Sequence, residues 1–510
     1  MKSNILKIAL FATGLAGIVA EYILSTLATY FLGDSVFQWT MIVSIMLFSM
    51  GLGSRLSKSV KTSLLVKFII IEFGLSLLTS FSSLLAYTAA AYTIYTGFII
   101  YSLSITIGLM IGMERPLVIR LNNKFEELRI NVSSVMEKDY YGSLAGGLFF
   151  AFVGLPYLGL TYTPFILGSI NFIVALLLLT MLWKHLHTRV KYLLGSLSVF
   201  IIILITAGII FAKPVILFGE QKKYKDKIVF SKQTRYQRIV VTQWKENYWL
   251  YINGNLQLSS LDEKMYHEPL VHPAMEYHPY PRNILILGGG DGCAAREVLK
   301  HKSVENITLV DIDPVITALA KSHKIFRNLN NNALNNQKVS IVNADAYYFM
   351  QNHDDFYDVI IIDLPDPRTI EIGRLYSQEF YEICRKHLRP QGILVTQAGS
   401  PYYAAKAFLC IKKTLQKAGF TVVPYHNQIL TMGEWGWMLG TKQKKSYLKK
   451  DLGQLKFENI STSWLNNEAM LMMTSFGKEF FLDPQDTVEI NKTHHPVLYR
   501  YYLKGSWDLY

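Results

Sequence analysis

Hydrophobic positions follow two different patterns along the chain. Between residues 5 and 212 they run almost without interruption, in stretches such as FIVALLLLTML and VFIIILITAGIIFA. These show neither the stripe of a surface helix nor the alternation of a half-buried strand. Helices that are apolar all round and about twenty residues long belong in a bilayer. About seven stretches qualify: 5–32, 37–54, 64–90, 92–113, 140–160, 162–183 and 192–212. The first is too long for a cleaved leader and has no clear small-residue cleavage site. Residues 228–260, IVFSKQTRYQRIVVTQWKENYWLYINGNLQLSS, instead alternate apolar and polar side chains. They are rich in aromatic and β-branched residues and contain Asn253–Gly254, the signature of β-hairpins. From 283 onward, apolar runs at 283–287, 307–311, 338–342, 358–362 and 392–396 alternate with helical patterns. That alternation predicts a parallel, doubly wound sheet covered by helices. A last hairpin, FTVVPYHNQILTMGEWGWMLG, would close the sheet in antiparallel fashion. The expected organisation is a multi-pass helical membrane domain (1–212), a β-rich subdomain (213–282) and an α/β domain with a C-terminal extension (283–510).

The chain has 510 residues, 51% hydrophobic and 17% charged, with a formal net charge of +13. Much of the positive charge borders the apolar stretches: Arg55, Lys58 and Lys61; Arg115, Arg120, Lys124 and Arg129; Lys184, Arg189 and Lys191; and the segment 213–227. That is the habit of membrane-flanking residues. The basic residues are not interleaved with aromatics, so the expected partner is a lipid bilayer and not nucleic acid. Cys293, Cys384 and Cys410 are an odd number without metal-ligand spacing, which argues against a disulfide framework or a zinc site. Seven spans with the basic loops 54–63, 114–139 and 184–191 inside would put the second half outside. The basic segment after the last span and the cysteines favour a cytoplasmic α/β domain, and a cell-membrane protein with that orientation is the expectation. Glu21, Glu72 and Glu114 fall inside or at the edge of the spans, where a charge is costly and requires an interior partner. Arg115 adjoins Glu114 but leaves a helix in another direction, so it does not settle that partner. Gly142, Gly146 and Gly147 suit close helix packing.

The most informative stretch is ILILGGGDGCAAREVLKHKSVENITLVDID, residues 284–313. A strand enters a glycine turn, a helix follows, and a second strand ends at Asp311. Gly288, Gly289, Gly290 and Gly292 let the backbone turn tightly and approach a ligand. Asp311, about 20 residues after the turn, is placed to hold ribose hydroxyls. Asp291 inside the loop would repel a phosphate and attract a cation, so a nucleoside with a positively charged tail fits better than a dinucleotide. Ligands of such sheets bind beyond the carboxyl ends of the strands. There the chain carries Asp291, Asp311, Asp313, Asp345 in NADA, and Asp363 and Asp366 in DLPDP. A rim of carboxylates on a positively charged protein reads as a pocket for a polycation.

These residues carry a resemblance. TRYQ (234–237), NGNLQLSSLDEKMYHEPLVHP (253–273), GGGDG (288–292), VDID (310–313), NADA (343–346), DLPDP (363–367), LYSQEFY (375–381) and GEWGW (433–437) resemble the motifs of spermidine synthases, the polyamine aminopropyltransferases. GMERPL (112–117) and DYYGSLAGG (139–147) are similar to the multi-pass region of the membrane-bound branch of that family. The resemblance implies a Rossmann-like fold of the class I S-adenosylmethionine-methyltransferase type. It also implies transfer of the aminopropyl group of decarboxylated S-adenosylmethionine to putrescine, giving spermidine and 5′-methylthioadenosine. In that reading Asp363 takes a proton from the attacking amine and Tyr266 orients it. Asp291 pairs with the tail ammonium, Asp311 holds the ribose, Asp345 the adenine amino group and Asp366 the polyamine. Gln237, Gln257 and His267 complete the nucleoside end. The nucleoside is a co-substrate, with no cofactor or metal implied, and the family suggests a homo-oligomer, dimer or tetramer.

Three departures bear on the acceptor amine. Leu364 follows Asp363 where soluble members carry Ser or Thr, Cys293 follows GGGDG where they carry Gly, and Thr431 and Met432 stand near an aromatic position of the late hairpin. Two other functions fit parts of the chain. A methyltransferase using intact S-adenosylmethionine shares the fold, but Asp291 and the D-x-x-D-P rim oppose it. A polyamine sensor or transporter without turnover is opposed by the intact Tyr266, Asp291 and Asp363. The membrane Glu residues leave open a cation path, against which stands simple interhelical pairing in an anchor. Tyr236 and His272 are read as local packing or hydrogen-bonding residues.

Overall fold

The computed structural model describes all residues except 1, 34, 124–126, 184–185, 445–446, 479, 482–487 and 508–510. Lys124 and Lys184 therefore lie outside the described residues. The chain forms two compact units, Met1–Ile228 and Val229–Tyr510.

The first unit is helical: α1 (Lys2–Leu32), α2 (Ser35–Leu56), α3 (Leu64–Tyr92), α4 (Thr96–Asn122), α5 (Leu128–Phe149), α6 (Gly159–Leu182) and α7 (Thr188–Lys223). Six helical segments are long and apolar enough to cross a membrane. Two of the expected stretches, 140–160 and 162–183, fall in one 54-residue segment, Leu128–Met181. Straight, that segment would be about 80 Å long. It folds back instead. Gly159 has φ +62, and the Thr163 hydroxyl donates to the Gly154 carbonyl at 3.0 Å, although residues nine apart in a straight helix are separated by about 13 Å. The glycines of α5 act as the sequence suggests. A Cβ on Gly142 would sit 2.1 Å from the Phe11 carbonyl oxygen and one on Gly146 2.5 Å from that of Leu15, so α1 and α5 meet backbone to backbone. Gly147 is looser, with Tyr22 at 3.8 Å. The partner of Arg115 is Asp139 on α5, at 2.6 Å. Glu72 is buried and its Oε1 accepts from Thr13 at 3.4 Å, while buried Glu114 has no hydrogen-bond partner among the described residues. Glu21 is buried as well.

The second unit opens with a four-stranded antiparallel sheet, β1 (Lys227–Gln233), β2 (Arg238–Trp244), β3 (Asn247–Ile252) and β4 (Asn255–Ser259), in that order. Asn253 and Gly254 both have positive φ, as the tight β3–β4 hairpin requires. Helix α8 (Lys264–Tyr277) leads into a seven-stranded sheet. Its strands are β5 (Asn283–Gly288), β6 (Asn306–Asp311), β7 (Val339–Asn343), β8 (Tyr357–Asp363), β9 (Leu388–Gly399), β10 (Thr421–Ile429) and β11 (Gly433–Thr441). The order is β10-β11-β9-β8-β5-β6-β7, with β11 antiparallel to both its neighbours, β10 and β9, and the other neighbouring pairs parallel. Strands β5 and β8 are buried except at the first residue of β5 and the last of β8, which suits apolar runs covered on both faces. The order reverses at β5, so a crevice opens between the ends of β5 and β8. There Gly288 is in register with Asp363. Chain from the C-terminal extension packs on this frame: Glu268 of α8 accepts backbone N–H groups from Ser463, Trp464 and Leu465 at 2.6, 2.9 and 2.8 Å.

Candidate active site

The glycine loop between β5 and helix α9 (Cys293–Val298) is shaped by what surrounds it. Gly288 has φ +86, and a Cβ there would lie 2.0 Å from the Asp363 carbonyl oxygen, so only glycine lets the two strand ends close up. A Cβ on Gly290 would meet Asp311 Oδ2 at 2.4 Å. In its absence the Gly290 N–H donates to that oxygen at 3.1 Å. Asp291 Oδ1 accepts from the Cys293 N–H at 2.8 Å and so turns the chain into α9. Burial, opposed in part by backbone hydrogen bonds, lifts the Asp311 carboxyl to about 6.

Tyr266, His267, Asp291 and Asp363 converge. The Tyr266 hydroxyl donates to Asp363 Oδ1 at 2.8 Å. His267 Nε2 stands 4.0 Å from Asp363 Oδ2 and 4.0 Å from Asp291 Oδ1. Burial raises Asp363 to about 6, with His267 opposing and Asp291 adding to the rise. A carboxylate poised there, with a phenol fixing one oxygen, can accept a proton from a weak acid near neutral pH. Asp366 is held in the same loop. It accepts from the Tyr502 hydroxyl and lies 3.7 Å from Arg368, and burial is the main cause of its raised pKa. The loop itself is pinned by Gln397, which donates to the Leu364 carbonyl at 2.9 Å, and by Tyr376, which donates to the Pro365 carbonyl at 3.1 Å.

The other expected residues are more dispersed. Asp345 caps the helix Ala346–Gln351 and pairs with Arg374. Gln237 and Gln257 are half-buried in the small sheet and its loops, and the Gln257 amide donates to the nearby Leu256 and Asn255 carbonyls, at 3.1 and 3.5 Å. Asp313 does not belong to the rim. It is fully buried, caps the helix Pro314–Ser322 through Val315 at 3.0 Å, and receives the Thr234 hydroxyl at 2.8 Å, tying TRYQ to the large sheet. His272 is likewise internal, 2.9 Å from Glu297 and 3.0 Å from His301.

Sequence reasoning missed the support behind His267. Glu263, one helical turn before it, accepts from His267 Nδ1 at 3.0 Å and is gripped by both terminal nitrogens of Arg296 at 2.9 and 2.7 Å. The i, i+4 spacing of Glu263 and His267 was the one available signal. Burial would raise Glu263, but His267 and Arg296 outweigh it and hold the carboxyl at about 2. Glu263, His267 and Cys293 have donor atoms within 4.8 Å of one another. Arg296 already occupies both Glu263 oxygens, and burial keeps the Cys293 thiol protonated, so this trio does not suit a metal ion. Replacing Arg296 by methionine is expected to destabilise the protein by about 3–5 kcal/mol, because it strands a buried carboxylate. The thermal midpoint reads this directly. Glu263 has a depressed pKa, so its stabilisation is complete above its ordinary value near 4.5 and fades as the pH falls toward about 2. A midpoint unchanged in the variant would show that the pair contributes nothing.

The chain is similar to known proteins over its whole length. The spermine/spermidine synthase domain matches residues 263–451. The chain is 42% identical to polyamine aminopropyltransferase 2 of Aquifex aeolicus (strain VF5), over 98% of its own length and 99% of the relative's. It is 37% identical to the polyamine aminopropyltransferase of Leptospira interrogans, over 99% and 98%. The crystal structure of spermidine synthase from Thermotoga maritima matches at a TM-score of 0.45 and 26% identity, over 51% of this chain and 87% of that one.

Proposed function

The chain belongs to the spermidine synthase family of polyamine aminopropyltransferases, and within it we propose transfer of the aminopropyl group of decarboxylated S-adenosylmethionine to putrescine, with spermidine and 5′-methylthioadenosine as products. The observation that carries this reading is the junction of Tyr266, Asp363, His267 and Asp291 at the mouth of the β5–β8 crevice. The donor has a sulfonium that leaves as a neutral thioether, so the chemistry needs alignment and a free amine more than acid assistance. Putrescine arrives as a diammonium. Asp363 takes one proton from it, and Tyr266 holds the carboxylate so that its second oxygen faces the amine. Asp291 pairs with the donor's tail ammonium, Asp311 holds the ribose, and Asp345 accepts from the adenine amino group, with Gln237 and Gln257 at the nucleoside end. Asp366 takes the far ammonium of the acceptor in place of the Tyr502 hydroxyl. The glycine loop brings backbone against the nucleoside where side chains would exclude it.

Product analysis tests the substrate assignment. Purified full-length protein in detergent is given decarboxylated S-adenosylmethionine with putrescine, cadaverine or spermidine, and products are read by mass spectrometry. Spermidine and methylthioadenosine in equal amounts, with putrescine preferred at least tenfold, is the expected result. A preference for cadaverine or spermidine would replace the acceptor. Absence of any aminopropylated amine would remove the synthase reading.

A further inference from the structure

We infer that Arg368 closes the far end of the acceptor pocket with a fixed positive charge and so limits the acceptor to a diamine. The inference rests on the proposed reading of Asp363 and Asp366 as the two ends of that pocket. It begins from the order of groups along the crevice. Tyr266 is bonded to Asp363 at 2.8 Å. Tyr266 and Tyr376 each interact electrostatically with both Asp363 and Asp366, so the two phenols line the stretch shared by the carboxylates. Of the two carboxylates, only Asp366 is in contact with Tyr502 and Arg368. That puts Arg368 at the end remote from the reacting amine.

The C-terminal extension holds the guanidinium there. Its carbon lies 5.3 Å from the centre of the Tyr502 ring and 5.9 Å from that of Trp507, within the range of cation–π attraction. The two rings are packed together, with centres 4.7 Å apart, and the Trp507 indole N–H donates to the Tyr502 carbonyl at 2.8 Å. The Ser506 N–H ties the segment to the Tyr403 carbonyl at 2.7 Å. Both aromatic residues lie outside the residues 263–451 that match the family domain, so chain beyond that domain supplies the wall. Among the described residues Arg368 has one ion-pair partner, Asp366 at 3.7 Å, and its Nε has no hydrogen-bond partner.

Counting carboxylates gives the selectivity. Asp363 serves the reacting amine, and Asp291 and Asp311 serve the donor. Asp345 is paired with Arg374, and Glu263 with Arg296. Asp366 is left for the far ammonium of a diamine, which replaces the Tyr502 hydroxyl and shares the carboxylate with Arg368. Spermidine has a third nitrogen, which lies beyond the second whichever end enters first. Its ammonium would reach Arg368 with no carboxylate of its own. Juxtaposed like charges oppose binding, and a site selects by repelling the wrong ligand as well as by attracting the right one.

Initial rates with the full-length protein in detergent test this by comparing spermidine with N-butylputrescine. The second amine has the same length, with a methyl group in place of the third ammonium. The Arg368 side chain is 39% exposed, so solvent screens part of its charge. A kcat/KM about tenfold higher for N-butylputrescine is expected of the wild type. Arg368→Met keeps the length of the side chain against the rings and removes the charge, and should bring the two amines to within about threefold.

Equal efficiencies in the wild type, failure with both amines included, overturn the inference and leave the synthase reading standing. So does a gap that survives in Arg368→Met, or a wild type that prefers spermidine to putrescine. If Arg368→Met is inactive with every amine, the wild-type comparison decides alone. A wild type that aminopropylates no amine at all overturns both readings.

Discussion

Asp363→Asn is expected to lower turnover by about a thousandfold while donor affinity changes little. The substitution keeps the shape of the side chain, and its amide oxygen can still accept the Tyr266 hydroxyl now bound at 2.8 Å. What it removes is the capacity to take a proton. General-base groups contribute about 10²–10⁴ to rate, and the sulfonium needs no acid help, so most of the loss should fall on kcat. The pH profile separates a base from a structural residue. Burial puts Asp363 at about 6, with Asp291 adding to the rise and His267 opposing it. Wild-type activity should therefore climb as the pH rises through about 6, because the ionised form is the working one. The variant's residual rate should lack that limb. The groups interact, so the observed midpoint belongs to the set of Asp363, Asp291 and His267. Single-turnover release of methylthioadenosine measures the step, and a rate within threefold of wild type would take Asp363 out of the proton's path.

How far the sequence led depended on how locally each feature is encoded. The strands of the large sheet lay in continuous apolar runs, and β5, β6 and β8 begin and end within a residue or so of the expected limits. Glycine loop, hairpin turn and strand-end carboxylates are local features of the same kind. The fold-back at Gly159 lies within two residues of the expected break between the apolar stretches 140–160 and 162–183. Asp313 was misread because a carboxylate two residues after a strand serves equally as rim or helix cap, and only its Thr234 contact, 79 residues away in sequence, decides. The partners of Asp366 and Glu268 were out of reach for the same reason. Tyr502 lies 136 positions from Asp366, in an extension without motif. The Glu263–Arg296 pair spans 33 residues and two helices. Local patterns announce elements and strand-end chemistry, while the groups that hold that chemistry in place come from distant chain.

Asp291→Asn tests selectivity for the donor, and its effect should fall on binding. Asparagine retains the side-chain oxygen that accepts from the Cys293 N–H at 2.8 Å, so the turn into α9 and the loop conformation should persist. Only the charge is lost. Removing one partner of a close, desolvated charge pair costs about 2–5 kcal/mol, which corresponds to a loss of affinity for decarboxylated S-adenosylmethionine on the order of a hundredfold. Intact S-adenosylmethionine adds a carboxylate beside the same ammonium, and Asp291 repels it. Without that charge the excluded nucleoside should bind better, so the ratio of the two affinities should fall further than either affinity alone. Competition calorimetry with the two nucleosides reads the ratio. Equal losses for both would show that Asp291 only shapes the loop, and the selectivity would then have to come from elsewhere on the rim.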